Sequence, residues 1–180
     1  MSTESTNRLT TQLGGITLEG YPHQLSTVSV VALRFVMGGM MLFAGIGKLT
    51  GEPFDASGYL VHGVDAASPV SGIYAAMAAN PALLDVINVL IPWTQLLIGV
   101  ALIAGGLLRL AAFGGALQML AFYLGGWEGE WLALFDSTLI YAVVFLALGA
   151  FAAGRILGAD KHIEQLEIVK RYPKLKYLLG

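Results

Sequence analysis

STVSVVALRFVMGGMMLFAGIG, residues 26–47, carries a single charge, Arg34, in an otherwise apolar run rich in glycine and methionine. As a helix rising 1.5 Å per residue it is roughly 33 Å long, enough to cross the ~30 Å hydrocarbon layer of a bilayer. A soluble core rarely tolerates an unpaired arginine. The composition points to the other solvent. Of 180 residues, 56% are hydrophobic and 12% charged, against about 25% charged in soluble domains. The mean hydropathy is +0.71.

Three more stretches have the same character: residues 86–108, 110–126 and 131–154. The expected fold is all-α, an integral membrane four-helix bundle. Pro92 is expected to end or kink the second span near its start. A long link, 48–85, separates the first two spans, and PVSGIYAAMAA within it suits a short helix. The other links are only a few residues, which predicts antiparallel neighbours. The chain therefore divides into an arm over 1–25, a bundle over 26–158 and a tail over 159–180. The arm, MSTESTNRLTTQLGG onward, is polar, lacks the pattern of a signal peptide and reads as amphipathic or irregular. The tail places Ile163, Leu166 and Val169, then Leu175, Leu178 and Leu179, among lysines and Arg171. That is an amphipathic segment suited to a lipid surface, or to docking on a partner.

Charge chooses a side. Four spans put Arg8, Arg109, Arg155, Lys161, Lys170, Arg171, Lys174 and Lys176 on one face and Lys48 alone on the other. Basic residues favour the cytoplasm, so both termini are expected there, with the 48–85 loop facing outward. Trp93, Trp127 and Trp131 are expected near the outer ends of their helices. Small residues offer close helix contacts: Gly38, Gly39, Ala44 and Gly45, then Ala101 with Gly105, Ala111 with Gly115, Gly149 with Ala153 and Ala150 with Gly154.

The chain has no cysteine, which removes disulfides, thiolate chemistry and iron–sulfur ligation. His23, His62 and His162 lie outside the spans, so a bis-histidine haem is not expected, and no metal-ligand spacing appears. GIGKLTG lacks the nucleotide-loop pattern, since Leu42 and Leu49 stand where Gly and Ser or Thr belong. No nucleic-acid partner is indicated. The candidate interior residues are Arg34, Lys48, Gln95, Gln118, Tyr123, Asp136, Tyr141, Arg155 and Asp160. For Arg34 two readings stand: it snorkels to the membrane surface, or it donates its rigid fork to carbonyls, to Asp160 or to a quinone oxygen. Asp136 either caps a helix or pairs with Lys48. Gln95 and Gln118 are mid-helix amides suited to interhelical bonds, and Tyr123 and Tyr141 offer hydroxyls.

LRFVMGGMMLFAGIGKL, with Arg34, Gly38, Gly45 and Lys48, resembles the first-helix signature of the DoxX/DoxD membrane family. IPWTQLLIGVALIAGGLLRLAAF resembles its second, with Gln95 where many relatives carry Glu, and DSTLIYAVVFLALGAFAAGRILGAD its last, with Gly154, Arg155 and Asp160. The last looks closer to the DoxD, thiosulfate:quinone oxidoreductase branch. The resemblance implies a membrane subunit of a quinone-linked oxidoreductase or respiratory complex, working with other subunits or as a homo-oligomer in contact with membrane lipid. Its implied cofactor is a quinone held without metal ligands. Two other classes stay open: a non-catalytic accessory or assembly subunit, and a small-molecule or lipid transporter.

Overall fold

The computed structural model describes residues 9–13, 16–20, 24–131 and 135–180. The chain is largely helical. Three helices are long and apolar enough to cross a membrane: α1, Gln24–Thr50; α3, Pro81–Ala104; and α4, Leu108–Gly125. This is a multi-pass membrane protein. A short α2, Ser71–Ala78, forms where the long link predicts one. α5, Ser137–Ala150, follows α4, and the tail holds α6, Asp160–Ile163, and α7, Glu167–Arg171.

Several expectations change. The N-terminal arm is not irregular: β1, Leu9–Leu13, pairs antiparallel with β2, Ile16–Gly20, in the register Leu9↔Gly20 to Leu13↔Ile16. Alternation of polar and apolar residues over only five positions is a weak signal beside four spans. The fourth span, expected over 131–154, has only 14 helical residues, about 21 Å. Asp136 starts it by capping, and turns replace helix from Phe151 onward. α3 begins five residues earlier than expected, because Asn80 caps it, accepting from Leu83 N at 3.2 Å, and Pro81 takes the first turn. It then runs through Pro92 without ending. Trp93 therefore sits roughly 18 Å along α3, midway and not at an end.

Glycine sets the helix spacing. A Cβ on Gly45 would meet the backbone of Leu96, one on Gly99 the backbone of Leu42, and one on Gly38 the side chain of Ile103. Each step up α1 is a step down α3, so the two run antiparallel in close contact. α4 and α5 repeat this, with Gly115 against Phe145 and Gly149 against Ala112. Gly39 has open space around it and plays no such part. α3 also meets α4, and α1 meets α5. Met37, Met41, Leu102, Leu108, Phe145 and Leu148 form the centre.

The bundle has two distinct ends. The loop end carries residues 51–80. The tail end carries the start of α4, the exit of α5 and residues 159–180. The tail is not one amphipathic segment: α6, α7 and a 3-10 turn, Pro173–Leu178, fold it back until Leu179 and Gly180 are buried against α4. Leu166, Ile168, Tyr172 and Tyr177 stay exposed beside Lys170, Arg171 and Lys174.

Candidate functional site: a polar lock at one end, an open apolar cavity near the other

Arg34 does not snorkel. It is fully buried, and its Nη1 donates to Ala153 O (2.6 Å) and Ile156 O (2.7 Å), its Nη2 to Leu157 O (3.0 Å). These carbonyls belong to the irregular turns that follow α5, beyond its last residue, Ala150. A cation there also suits the negative end of the helix dipole. Among the described residues, Nε alone of the guanidinium nitrogens has no partner. Asp160, equally buried, does the complementary task for α4. Its carboxylate accepts from Leu107 N (2.7 Å), Leu108 N (3.1 Å) and Gly180 N (2.7 Å). It replaces the side-chain cap that Leu107 cannot provide.

The two charges share a glycine cradle. A Cβ on Gly105 or Gly158 would press on the guanidinium, and one on Gly154 on the carboxylate. Leu107, Ala152 and Leu157 all adopt positive φ near 50° here. Such a backbone costs an L-residue about 1–2 kcal/mol, and the bonds to Arg34 and Asp160 hold it in place. Arg155 stands outside the lock, exposed, and pairs with Glu164 at 2.5 Å.

At the loop end, residues 56–74 form a roof on α4. The last turns of α4 present carbonyls to the roof, those of Leu124 and Gly125 being beyond the reach of helical donors. Tyr74 Oη donates to Ala121 O (2.8 Å), Tyr59 Oη to Phe122 O (3.3 Å), Ser68 Oγ to Leu124 O (2.6 Å) and Asp65 N to Gly125 O (2.9 Å). Ala56 N donates to Asn88 Oδ1 (2.7 Å), tying the roof to α3 as well. Burial, with Tyr74 beside it, pushes the Tyr59 phenol up to about 12; burial raises that of Tyr74. Both stay protonated donors at neutral pH.

Beneath the roof, between α3 and α4, lies an apolar cavity of about 730 Å³. Its wall includes Leu60, Leu90, Ile98 and Leu117, and two of the candidate residues, Lys48 and Gln118. Gln118 is buried, and its Oε1 has no hydrogen-bond partner. Among the described residues, Lys48 has no carboxylate within ion-pair distance. Its ammonium lies 3.4 Å from Ala44 O and 5.6 Å from the Phe54 ring centre. The expected Lys48–Asp136 pair does not form, because Asp136 is committed to its own helix. It accepts from Thr138 N at 2.7 Å and from the Thr138 hydroxyl, bonds that hold its carboxyl below the usual range.

The remaining candidates disperse. Gln95 is buried with an unpartnered Oε1, but lines neither this cavity nor its neighbour. Tyr123 stacks edge-on with Trp127 at 5.7 Å and borders a second hollow of about 560 Å³, which shares Tyr59 and Phe122 with the first. Tyr141 is 37% exposed on a flank and does not serve the interior. Sequence reasoning missed the roof tyrosines, Ser68 and Gly99.

A family model for DoxX matches residues 29–126, which span α1, the roof, α3 and α4 and hold every residue of the apolar cavity's wall. The chain belongs to the DoxX family. Within this DoxX protein the lock straddles the matched region: Arg34 is inside it, Asp160 and the carbonyls that Arg34 holds are outside. No curated protein and no solved structure matches the chain significantly.

Proposed function

We propose that this DoxX chain is a membrane subunit of a quinone-linked oxidoreductase or respiratory complex, of the thiosulfate:quinone oxidoreductase kind, and that the cavity under the roof holds the quinone. The observation that carries the reading is an apolar cavity of quinone-binding size with an unpartnered buried amide in its wall. A quinone needs an apolar slot for its ring and chain and a few polar atoms for its oxygens. An amide serves both redox states, offering N–H to a carbonyl or C=O to a hydroxyl. Reduction of quinone to quinol takes two electrons and two protons. The chain has no cysteine for thiolate or iron–sulfur chemistry, so on this reading a partner subunit supplies the electrons.

The proposal includes orientation. Both termini face the cytoplasm and the roof faces outward, on the eight-to-one split of basic residues between the two ends, Arg34 aside. Single cysteines at Ser57 and Glu164 test it: an impermeant reagent on intact cells labels 57 and spares 164, and the reverse pattern overturns it. For the quinone, purified protein in nanodiscs is titrated with decylubiquinone. Saturable binding that weakens in Gln118→Met supports the site; its absence in wild type removes it. The competing reading is an accessory or assembly subunit. The broad exposed apolar flanks, such as Val36, Phe43, Leu97 and Phe113, favour it, since partner helices pack there as well as lipid does. A complex gently extracted from native membranes that keeps its activity when Gln118 is replaced, and falls apart without this chain, decides for that reading.

A further inference from the structure

The cavity has a direction. Ala56, Leu60, Ile98 and Gln118 on its wall are buried, whereas Leu83, Val86, Leu90 and Leu117 are 38%, 57%, 53% and 59% exposed. The exposed set comes from α3 and α4, so the opening is the gap between these helices on the flank of the molecule. That flank belongs to helices long enough to cross a bilayer, and the mouth therefore meets lipid. Two other directions are obstructed. Tyr59 and Tyr74 close the loop end with bonds to α4. Towards the tail end the two helices meet where Gly114 faces Ile98. Along α4 the wall turns over one residue: Leu117 faces outward and Gln118, the next position, faces in. Among the described residues, Lys48 is the only charged side chain on the wall.

Resting on the quinone reading for its head group, we propose that this site takes a chain-bearing amphiphile sideways out of the bilayer through the α3–α4 gap. The neutral head lodges at Gln118 and the chain trails past Leu90 and Leu117 into lipid. A long-chain ligand is already concentrated in the bilayer, because each methylene favours an apolar surrounding. It reaches the cavity without leaving lipid, and the roof keeps the outer water phase from the same space. A buried amide oxygen without a partner is costly to leave so. A neutral oxygen-bearing head relieves it, by its own O–H or by turning the amide so that its N–H meets a carbonyl.

The test uses the full chain in phosphatidylcholine nanodiscs, doped with either a photoreactive decyl-benzoquinone or a diazirine-tailed phosphatidylglycerol. Leu90→Cys gives this cysteine-free protein one thiol at the mouth, to be blocked with a bulky maleimide after folding. Blocking is expected to cut saturable quinone labelling of peptides 86–98 and 114–122 at least tenfold, with the melting temperature unchanged. Ser68→Ala, which loosens the roof without touching the cavity wall, is expected to leave labelling intact. Gln118→Met is expected to weaken the quinone about tenfold, the equivalent of one lost hydrogen bond. Labelling that survives the plug, or that follows Ser68→Ala, overturns sideways loading. If only the lipid probe labels, and the plug stops it, the quinone assignment and the neutral head both fall and the route stands. If neither probe labels saturably, both fall.

Discussion

At the tail end, Arg34 is 0% exposed and spreads three N–H bonds over three carbonyls; in α4, Gln118 is 9% exposed and its amide oxygen meets nothing. Both are polar residues in apolar helices, and sequence treats them alike. Their surroundings separate them. Arg34 is held by three backbone carbonyls beyond α5, so its geometry is tied to the path of the chain there. Gln118 has an unspent acceptor and a hollow next to it. Gln95 supplies a comparison: it too has an unpartnered oxygen among the described residues, but it lines neither of the two cavities at the loop end. On the proposed reading, the unsatisfied atom and the cavity together make Gln118 the candidate for the head group.

The largest expected effect is at the lock. Arg34→Gln strips the carbonyls of Ala153, Ile156 and Leu157 of their donors, and is expected to cost about 3–5 kcal/mol of stability in matched detergent. Arg34→Lys is expected to rescue little of this, since one ammonium cannot reproduce the planar fork. If lysine melts like wild type, the lock is ordinary snorkelling. Asp160→Asn turns an acceptor into a donor among N–H groups and is expected to cost about 2–3 kcal/mol. Gly99→Ala forces a methyl into the Leu42 backbone and is expected to cost about 1–3 kcal/mol. Gly39→Ala, in open space, is expected to be neutral or slightly stabilising, and equal losses at the two glycines would remove the close-approach account.

Asp136→Ala is expected to cost about 1 kcal/mol, the usual value of an N-cap. The sign with pH follows from its lowered folded-state value. The contribution is complete above the ordinary carboxylate range and is lost as pH falls through and below it. Thermal melts of wild type and variant should therefore converge in acid and separate at neutral pH. The smallest effect on stability belongs to Gln118→Met. Replacing an unpaired amide by an apolar chain of similar shape is expected to be neutral or stabilising, in contrast to Arg34. A large loss there would show that Gln118 is a packing residue after all.

Much of the fold is legible in residues 26–47 and their three counterparts, because hydrocarbon permits few spanning structures and composition declares them. Gly38, Gly45 and Gly115 were readable as contact points. Gly99 and the idleness of Gly39 were not, since rotation of one helix against another is set by both. Arg34 stood out because its charge is improbable there. Its partners could not be chosen from sequence, as carbonyls carry no residue identity. Asp160 was visible as a buried candidate, but its role as the cap of α4 depends on a contact 52 residues away. The short α5 was masked by apolar flanks that read as helix, and the roof by a stretch whose turn residues suggest only a loop.

The lock has a consequence for sequence variation. Arg34 addresses the chain after α5 through carbonyl oxygens, which every amino acid supplies. Ile156 and Leu157 can therefore change identity without the arginine registering it, and at Leu157, 86% exposed with φ of 51°, an asparagine or glycine would sit more comfortably than leucine does. The tolerance is one-sided. Gly105, Gly154 and Gly158, which touch the two charges only by lacking a side chain, have no such latitude. Around the two charges, Ile156 and Leu157 bond to Arg34 yet are free to drift, whereas the three glycines must stay although they have no side chain to bond with.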